Sequence, residues 1–451
     1  MPSNPPSPVN STAKRKAAVE EKSISPPPVK RRAAQNATTQ SAMATFFMPA
    51  SQKPKGRTTW KERGTPPSLL VGRFQPEGTT EDREEKRRKV AAFDLDSTLI
   101  VSASGKKFAN DPADWKWWDA GVPTRLRKIY RVIIISNQAG LTLDPNAKGP
   151  KNTGKGRVAK FREKCAAVLT QLNVPTTIYA ATGRDEYRKP RTGMWKALCE
   201  DYGIPEAEVD LENSIFVGDA GGRPAEGKKI PKDFSCSDRN FAHNVGITYK
   251  TPEEFFLDEP PRDFTRHFDL AAHPYVENTE EEESLFEKMN KKDIVLFCGP
   301  PGAGKSTFFW KYLKPLGYER VNQDTLKTRA KCFKAAAEFL DDGSSIVIDN
   351  TNPDADGRKE WVEFAKKHGV PIRCVWFNIP KGLCEHNDAV RSMNKSLNPE
   401  ARSGLPGLAF NTYFARLREP TKKEGFQHIL PIEFKFRGTK EEYAIWGQYW
   451  N

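Results

Sequence analysis

No apolar run in this chain approaches the roughly 18–20 residues that a membrane-spanning helix requires, and no apolar segment follows its first residues. A helical membrane protein is excluded, and no secretory signal is expected. Cysteine is scarce. The seven present (Cys165, Cys199, Cys236, Cys298, Cys332, Cys374, Cys384) stand singly, with no CxxC pair. Their spacing excludes a zinc module, and their odd number argues against a disulfide framework. They read as reduced, mostly buried thiols of an intracellular protein. Phe, Trp and Tyr are missing altogether from positions 1–39, where seven prolines occur. Such a segment cannot bury enough apolar surface to offset its ordering entropy, and it is expected to be disordered.

What remains is enough for large cores: 37% of the 451 residues are hydrophobic, and the length suggests two or three domains. Charge is unevenly spread. The net charge is +14, and residues 1–63 hold 12 basic and 3 acidic side chains, so that stretch supplies +9 and the rest +5. A basic tail on a mildly basic body fits a polyanionic partner, with nucleic acid foremost. Within the tail, Lys14-Arg15-Lys16 and Lys30-Arg31-Arg32 are separated by 13 residues. That spacing looks like a bipartite nuclear localisation signal and predicts residence in the nucleus. Glu20, Glu21 and Pro26-Pro27-Pro28 argue against a mitochondrial presequence.

From about residue 68, short apolar runs alternate with helical patterns. Runs at 90–93, 132–135, 177–180 and 215–217 each lead into a polar loop, with helices expected over 155–172 and 193–202. After an acidic stretch around Glu280-Glu281-Glu282-Glu283, the pattern restarts at 294–298 and continues at 346–348, 374–377 and 432–436. Alternation of this kind implies parallel sheets with helices on both faces. The expected class is therefore α/β: a disordered basic tail at 1–67, a doubly wound domain at 68–275, an acidic linker at 276–291 and a second doubly wound domain at 292–451.

The run Val90-Ala-Ala-Phe-Asp94-Leu-Asp96-Ser-Thr-Leu-Ile100 is a buried strand ending in two carboxylates. Ligands of doubly wound sheets bind beyond the carboxyl ends of the strands. A carboxylate there can attack phosphorus, while one two residues on protonates the leaving oxygen. Ser136-Asn137-Gln138 ends another strand with a hydroxyl suited to holding a phosphate oxygen. Lys189 precedes a helix, and Asp219 ends a further strand with a carboxylate suited to Mg²⁺. In this order the four runs resemble the motifs of the haloacid-dehalogenase phosphatase superfamily. The resemblance implies Asp94 as nucleophile, Asp96 as general acid/base, Ser136, Asn137 and Lys189 as phosphoryl-binding groups, and Asp94, Asp96 and Asp219 around the metal.

The strand 294–298 runs into Gly299-Pro-Pro-Gly302-Ala303-Gly304-Lys305-Ser306-Thr307. This P-loop spacing lets backbone N–H groups wrap the phosphates of ATP, with Lys305 bridging phosphate oxygens and Ser306 on Mg²⁺. Asp324, in Asn322-Gln-Asp-Thr, is the candidate base for an acceptor hydroxyl. Asp349, ending the run 346–348, is open to metal, acceptor or capping roles. Of the basic residues Arg391, Arg402, Arg416 and Arg418, Arg391 is the expected phosphate contact, the others being read as surface or substrate contacts.

The two motif sets, in this order and with the runs Val217-Gly-Asp219-Ala-Gly-Gly-Arg-Pro224 and Lys232-Asp-Phe-Ser-Cys-Ser-Asp-Arg239, resemble the polynucleotide kinase/3′-phosphatase family over about 68–451. The resemblance implies a monomeric enzyme that removes 3′-phosphate and adds 5′-phosphate at DNA ends (nicks, gaps and double-strand breaks). An RNA end-healing enzyme with the same chemistry, a metabolite kinase/phosphatase and a decayed break scaffold are the alternatives. Animal members carry an N-terminal forkhead-associated domain, for which the preceding sixty-odd residues are too few and too polar. Those residues contain instead Gln40-Ser-Ala-Met43-Ala-Thr-Phe46-Phe47, which looks like a sliding-clamp-binding peptide. One 3₁₀ turn puts Met43 and Phe46 on one face. Phe47 adds an adjacent aromatic plug, and Gln40 a polar contact at the rim. The run Trp115-Lys-Trp-Trp118 is expected in the core more than against an unpaired base.

Overall fold

The computed structural model describes residues 58–76, 88–106, 111–128, 131–144, 146, 153–227, 231–277 and 285–451. The tail signals and the Gln40–Phe47 segment lie outside them. In the N-terminal half the strands are β1 (Thr58–Arg63), β2 (Leu69–Phe74), β3 (Val90–Phe93), β4 (Ile100–Val101), β5 (Lys116–Trp117), β6 (Arg131–Asn137), β7 (Thr176–Ala181), β8 (Ile215–Val217) and β9 (Thr248–Lys250). Apart from the small β4–β5 ribbon they form one sheet, ordered β1-β2-β7-β6-β3-β8-β9. Period-two alternation gives it two cores. Ala91 and Phe93 of β3 join Ile134, Leu169 and Phe256 on one face, while Val90 and Ala92 join Ile133, Trp195 and Phe241 on the other. From β3 the chain proceeds to β6 and β7 on one side and later to β8 and β9 on the other. The carboxyl end of β3 is therefore a topological switch point, where a doubly wound sheet leaves a crevice.

The C-terminal half repeats this logic with β10 (Ile294–Cys298), β11 (Tyr318–Val321), β12 (Ser345–Ile348), β13 (Ile372–Phe377) and β14 (His428–Ile432). The order is β11-β12-β10-β13-β14, all parallel. The loop after the central β10 again sits between flanking strands that diverge. Among the described residues no helix is long and apolar enough to cross a membrane.

Three expected boundaries need correction. Among the described residues the first strand is Thr58–Arg63, ahead of the start expected at 68. The segment Thr58–Arg63 pairs antiparallel with β2, and it reads as tail because one indole, Trp60, is its only aromatic contribution to the core. The first sheet is mostly parallel, as the doubly wound class implies, with only β2 antiparallel to its neighbours β1 and β7. The last strand is His428–Ile432, not 432–436; Phe434 and Phe436 turn their rings onto Trp446 instead. The linker boundaries also shift. Leu270 and Phe286 are both buried in the C-terminal core, and Phe286 meets Phe308, Tyr318 and the Arg373 guanidinium. That half thus starts well before 292, with apolar residues on both sides of the acidic run.

His386 shows how tightly this boundary packs. It is 2% exposed, its ring lies 4.5 Å from that of Phe268 and 4.9 Å from that of Trp446, and its Nε2 lies 2.9 Å from the Trp446 carbonyl oxygen. Burial pushes its pKa down to about 4, against the pull of that carbonyl. A histidine held neutral makes the folded state take up fewer protons than the unfolded one between about pH 4 and 6.5. Its stabilising share is full above pH 6.5 and is lost as pH falls through this window, by at most about 3 kcal/mol. Denaturant midpoints measured from pH 7 to 5 should fall more steeply for the native chain than for His386→Gln. Parallel slopes would remove this assignment.

Candidate active sites

Asp94 is the first residue past β3, and its amide donates to the Val217 carbonyl of β8 at 2.8 Å, extending the sheet by one position. Its Oδ1 lies 2.8 Å from Lys189 Nζ, which lies 2.8 Å from Asp238 Oδ1 and donates to the Ile135 carbonyl, again at 2.8 Å. The three N–H groups of this buried ammonium thus meet three acceptors. Burial opposes its charge, but the Asp238 and Asp94 carboxylates outweigh it and hold Lys189 above the ordinary lysine range. The Lys189 backbone is fixed from Asn137, whose Oδ1 accepts from Lys189 N at 2.9 Å and whose Nδ2 donates to Lys189 O at 3.1 Å.

Asp219 completes the cluster from the end of β8, its amide donating to Thr98 Oγ1 at 3.1 Å. Carboxylate oxygens of Asp94, Asp219 and Asp238 all lie within 4.8 Å of one another. Burial, eased by Lys189 and aggravated by Asp238, pushes Asp94 up to about 6; burial together with Asp94 and Asp238 pushes Asp219 up to about 8. Three crowded carboxylates facing one ammonium are a hard-oxygen set short of positive charge, which is the donor chemistry that Mg²⁺ requires.

Asp96 lies elsewhere than the metal assignment expects. Its carboxylate is outside this trio and engages Lys164 Nζ at 3.0 Å and Gln138 Nε2 at 2.7 Å. It stands half-exposed at the rim, in the turn that leaves β3. Gln138 also donates to Ser136 Oγ at 2.9 Å, so the Asp96 carboxylate and the buried Ser136 hydroxyl share one amide. Asp238, Lys164 and Gln138 had no assigned role in the sequence reading. Asp238 comes so close because Gly218 has no side chain; a Cβ there would lie 2.2 Å from Asp238 Oδ2. Trp115, Trp117 and Trp118 pack against the core, as the sequence reading favoured.

In the second site the P-loop wraps the start of a short helix, Lys305–Phe308. Gly302, at φ 77°, presses on the helix Lys381–Met393 so closely that a Cβ would meet the Cys384 carbonyl oxygen at 2.3 Å. Lys305 Nζ donates to the carbonyls of Gly299 (3.0 Å) and Pro300 (2.6 Å), and burial lowers its pKa to about 8 despite Asp349. Ser306 Oγ donates to Asp349 Oδ2 at 3.1 Å and accepts from Arg320 Nη2 at 2.9 Å and Arg402 Nη2 at 3.3 Å. Glu400 braces both guanidiniums, at 2.9 Å from Arg320 and 2.5 Å from Arg402. Asp324 stands exposed at the mouth, 3.9 Å from Arg402.

Arg391 is ion-paired with Asp388, one turn beyond Asn387, whose amide donates to Gly302 O at 3.0 Å. Arg320 and Arg402 lie nearer Ser306 than the sequence suggested. Arg320, inside β11, carried no motif signal.

Residues 89–256 match the polynucleotide kinase 3 phosphatase family, and residues 294–420 match an AAA domain family. The chain is 37% identical over 373 residues to a bifunctional polynucleotide phosphatase/kinase of Schizosaccharomyces pombe, an alignment covering 81% of this chain and 84% of that one. It is 26% identical over 226 residues to a polynucleotide 3′-phosphatase of Saccharomyces cerevisiae, covering 39% of this chain and 90% of the relative.

Asp238 is the residue on which the cluster geometry is most directly tested. Asp238→Ala should weaken Mg²⁺ binding about ten- to a hundred-fold, as read by calorimetric titration of the full chain without substrate. Unchanged affinity would take Asp238 out of the metal site.

Proposed function

Because the chain belongs to the bifunctional polynucleotide phosphatase/kinase family, we propose that it repairs broken DNA ends, removing 3′-phosphates and phosphorylating 5′-hydroxyls with ATP. The observation that carries this reading is the pairing, on one chain, of the Asp94–Lys189–Asp238–Asp219 cluster with a P-loop backed by Asp349.

In the first site Asp94 attacks the phosphorus of the 3′-phosphate, and Asp96 gives its proton to the departing 3′-oxygen. Asp96 then takes a proton from the water that hydrolyses the aspartyl-phosphate. Ser136, Asn137 and Lys189 hold the phosphoryl oxygens, and Gln138 keeps Asp96 aligned with Ser136. Asp94, Asp219 and Asp238 are the residues to hold Mg²⁺, which when bound offsets charge on the phosphoryl group. In the second site Asp324 takes the proton of the 5′-hydroxyl that attacks the γ-phosphate. Gly299, Gly302, Ala303, Gly304 and Thr307 cradle the donor phosphates, and Lys305, Arg402 and Arg391 face the charge spread over the transferring group. Ser306 and Asp349 are the metal-side groups.

The basic clusters of the tail support action in the nucleus. The segment Gln40–Phe47 supports tethering to a sliding clamp, and the enzyme is read as a monomer. Calorimetric titration of a 36–55 peptide into the clamp should give binding that the F46A/F47A peptide lacks; equal heats from both would remove the tether.

The enzymatic reading is tested on a nicked duplex bearing 3′-phosphate and 5′-hydroxyl. Asp94→Asn should abolish 3′-phosphate removal and spare ATP-dependent 5′-phosphorylation, and Lys305→Ala should do the reverse. Loss of both activities from either change, in a chain that remains folded, would overturn the two-site reading.

A further inference from the structure

Among the described residues of the C-terminal half, no other phenylalanine, tyrosine or tryptophan is as exposed as Trp310, at 51%. Its position is nonetheless fixed. The indole Nε1–H donates to Glu400 Oε1 at 3.1 Å, the Arg320 guanidinium lies over the ring at 5.7 Å, and Phe309 meets it edge-on at 5.0 Å. Leaving so large an apolar side chain half in water forgoes burial energy, and pinning it costs rotamer entropy as well. A rigid, half-open ring with a cation behind it is the form that base-stacking platforms take.

Its neighbours say which base. Trp310 follows Ser306 by four residues, so the two share a face across the Lys305–Phe308 helix and the turn Phe309–Leu313 that continues it. Ser306 marks the metal and γ-phosphate end of the donor site, away from the donor's nucleoside. The contacts then run from Trp310 through Glu400 to Arg402, and from Arg402 to Asp324 at 3.9 Å. The ring and the proposed base for the acceptor hydroxyl are thus joined through one hydrogen bond and two ion pairs.

We infer that Trp310 is the stacking platform for the 5′-terminal base of the acceptor strand, holding that nucleoside with its 5′-hydroxyl toward Asp324. This rests on the kinase reading above, and it makes the second site selective for a base-bearing polynucleotide end over a bare alcohol. Stacking of this kind tolerates any base, since each has a π-face.

The test is steady-state 5′-phosphorylation by the full chain, using a 5′-hydroxyl oligonucleotide and the same strand with an abasic 5′ terminus. Trp310→Ala should raise the KM for the intact oligonucleotide about 5- to 100-fold, with the KM for ATP unmoved. Trp310→Phe should restore most of the loss. The abasic strand should show the raised KM with the native chain and little further change with Trp310→Ala. An unchanged oligonucleotide KM in Trp310→Ala would overturn the inference, as would an equal penalty on both strands. A rise confined to the KM for ATP would place the ring against the donor and equally overturn it. Absence of 5′-phosphorylation by the native chain would instead sink the kinase reading itself, so the two failures are distinguishable.

Discussion

Everything at the first site depends on one buried ammonium. Lys189 is almost fully enclosed, and an unpaired charge in that position would cost several kcal/mol. It is tolerated because each of its three N–H groups has an acceptor at 2.8 Å, two of them carboxylates. The dependence runs both ways. Asp94, Asp219 and Asp238 crowd within 4.8 Å of one another, and without Lys189 their mutual repulsion and burial would leave the tip of β3 with no charge to offset them. The elements around the site are arranged to keep this cation in place: Asn137 clamps its main chain from the end of β6, and Gly218 stays bare so that Asp238 can approach.

The second site meets the same electrostatic problem differently. Asp349 also ends a buried strand, but the cation against it is Arg320, reaching over from β11, while Lys305 is occupied by carbonyls of its own loop. A lysine held by neutral carbonyls and pushed down to about 8 loses little on turning to a phosphate. The arginine at Asp349 and Ser306 is braced by Glu400, so its rearrangement is coupled to Arg402 and to the loop that carries both. The first site thus holds its lysine on buried carboxylates, whereas the second holds its lysine on neutral carbonyls that a polyphosphate can replace.

Why some of this was legible in the sequence and some was not follows from where the residues sit. Asp94, Asp219 and the P-loop lie directly after apolar strands, and a strand running into a carboxylate or glycine run is a local pattern. Asp238, Lys164 and Arg320 reach the sites from a helix start, a mid-helix position and the interior of β11. Their roles come from tertiary approach, and along the chain each reads as an ordinary surface charge. Asp96 shows the converse limit. Spacing put it beside Asp94, but its carboxylate engages Lys164 and Gln138 instead. The strand Thr58–Arg63 was hidden because an edge strand needs only one good apolar contact, and Trp60 supplies it.

The same distinction governs how the two halves relate. Nothing local in either half announces that Asn244, at the end of the helix Ser237–Val245, will bind the backbone of Tyr449, some two hundred residues later. Its Oδ1 accepts from Tyr449 N at 2.8 Å, and its Nδ2 donates to Tyr449 O at 2.7 Å and to Pro190 O at 2.9 Å. An asparagine amide offers two donors and an acceptor, and all are used here. The third bond falls on the residue next to Lys189, so the amide that fastens the segment after the last helix to the first half also steadies the loop carrying its buried cation. His243 and Arg266 add ring contacts to Tyr449 at 5.1 and 4.9 Å. The two chemistries lie on separate sheets, yet the backbone that carries Lys189 is held in part by the far end of the other half, and this fusion is therefore structural as well as sequential.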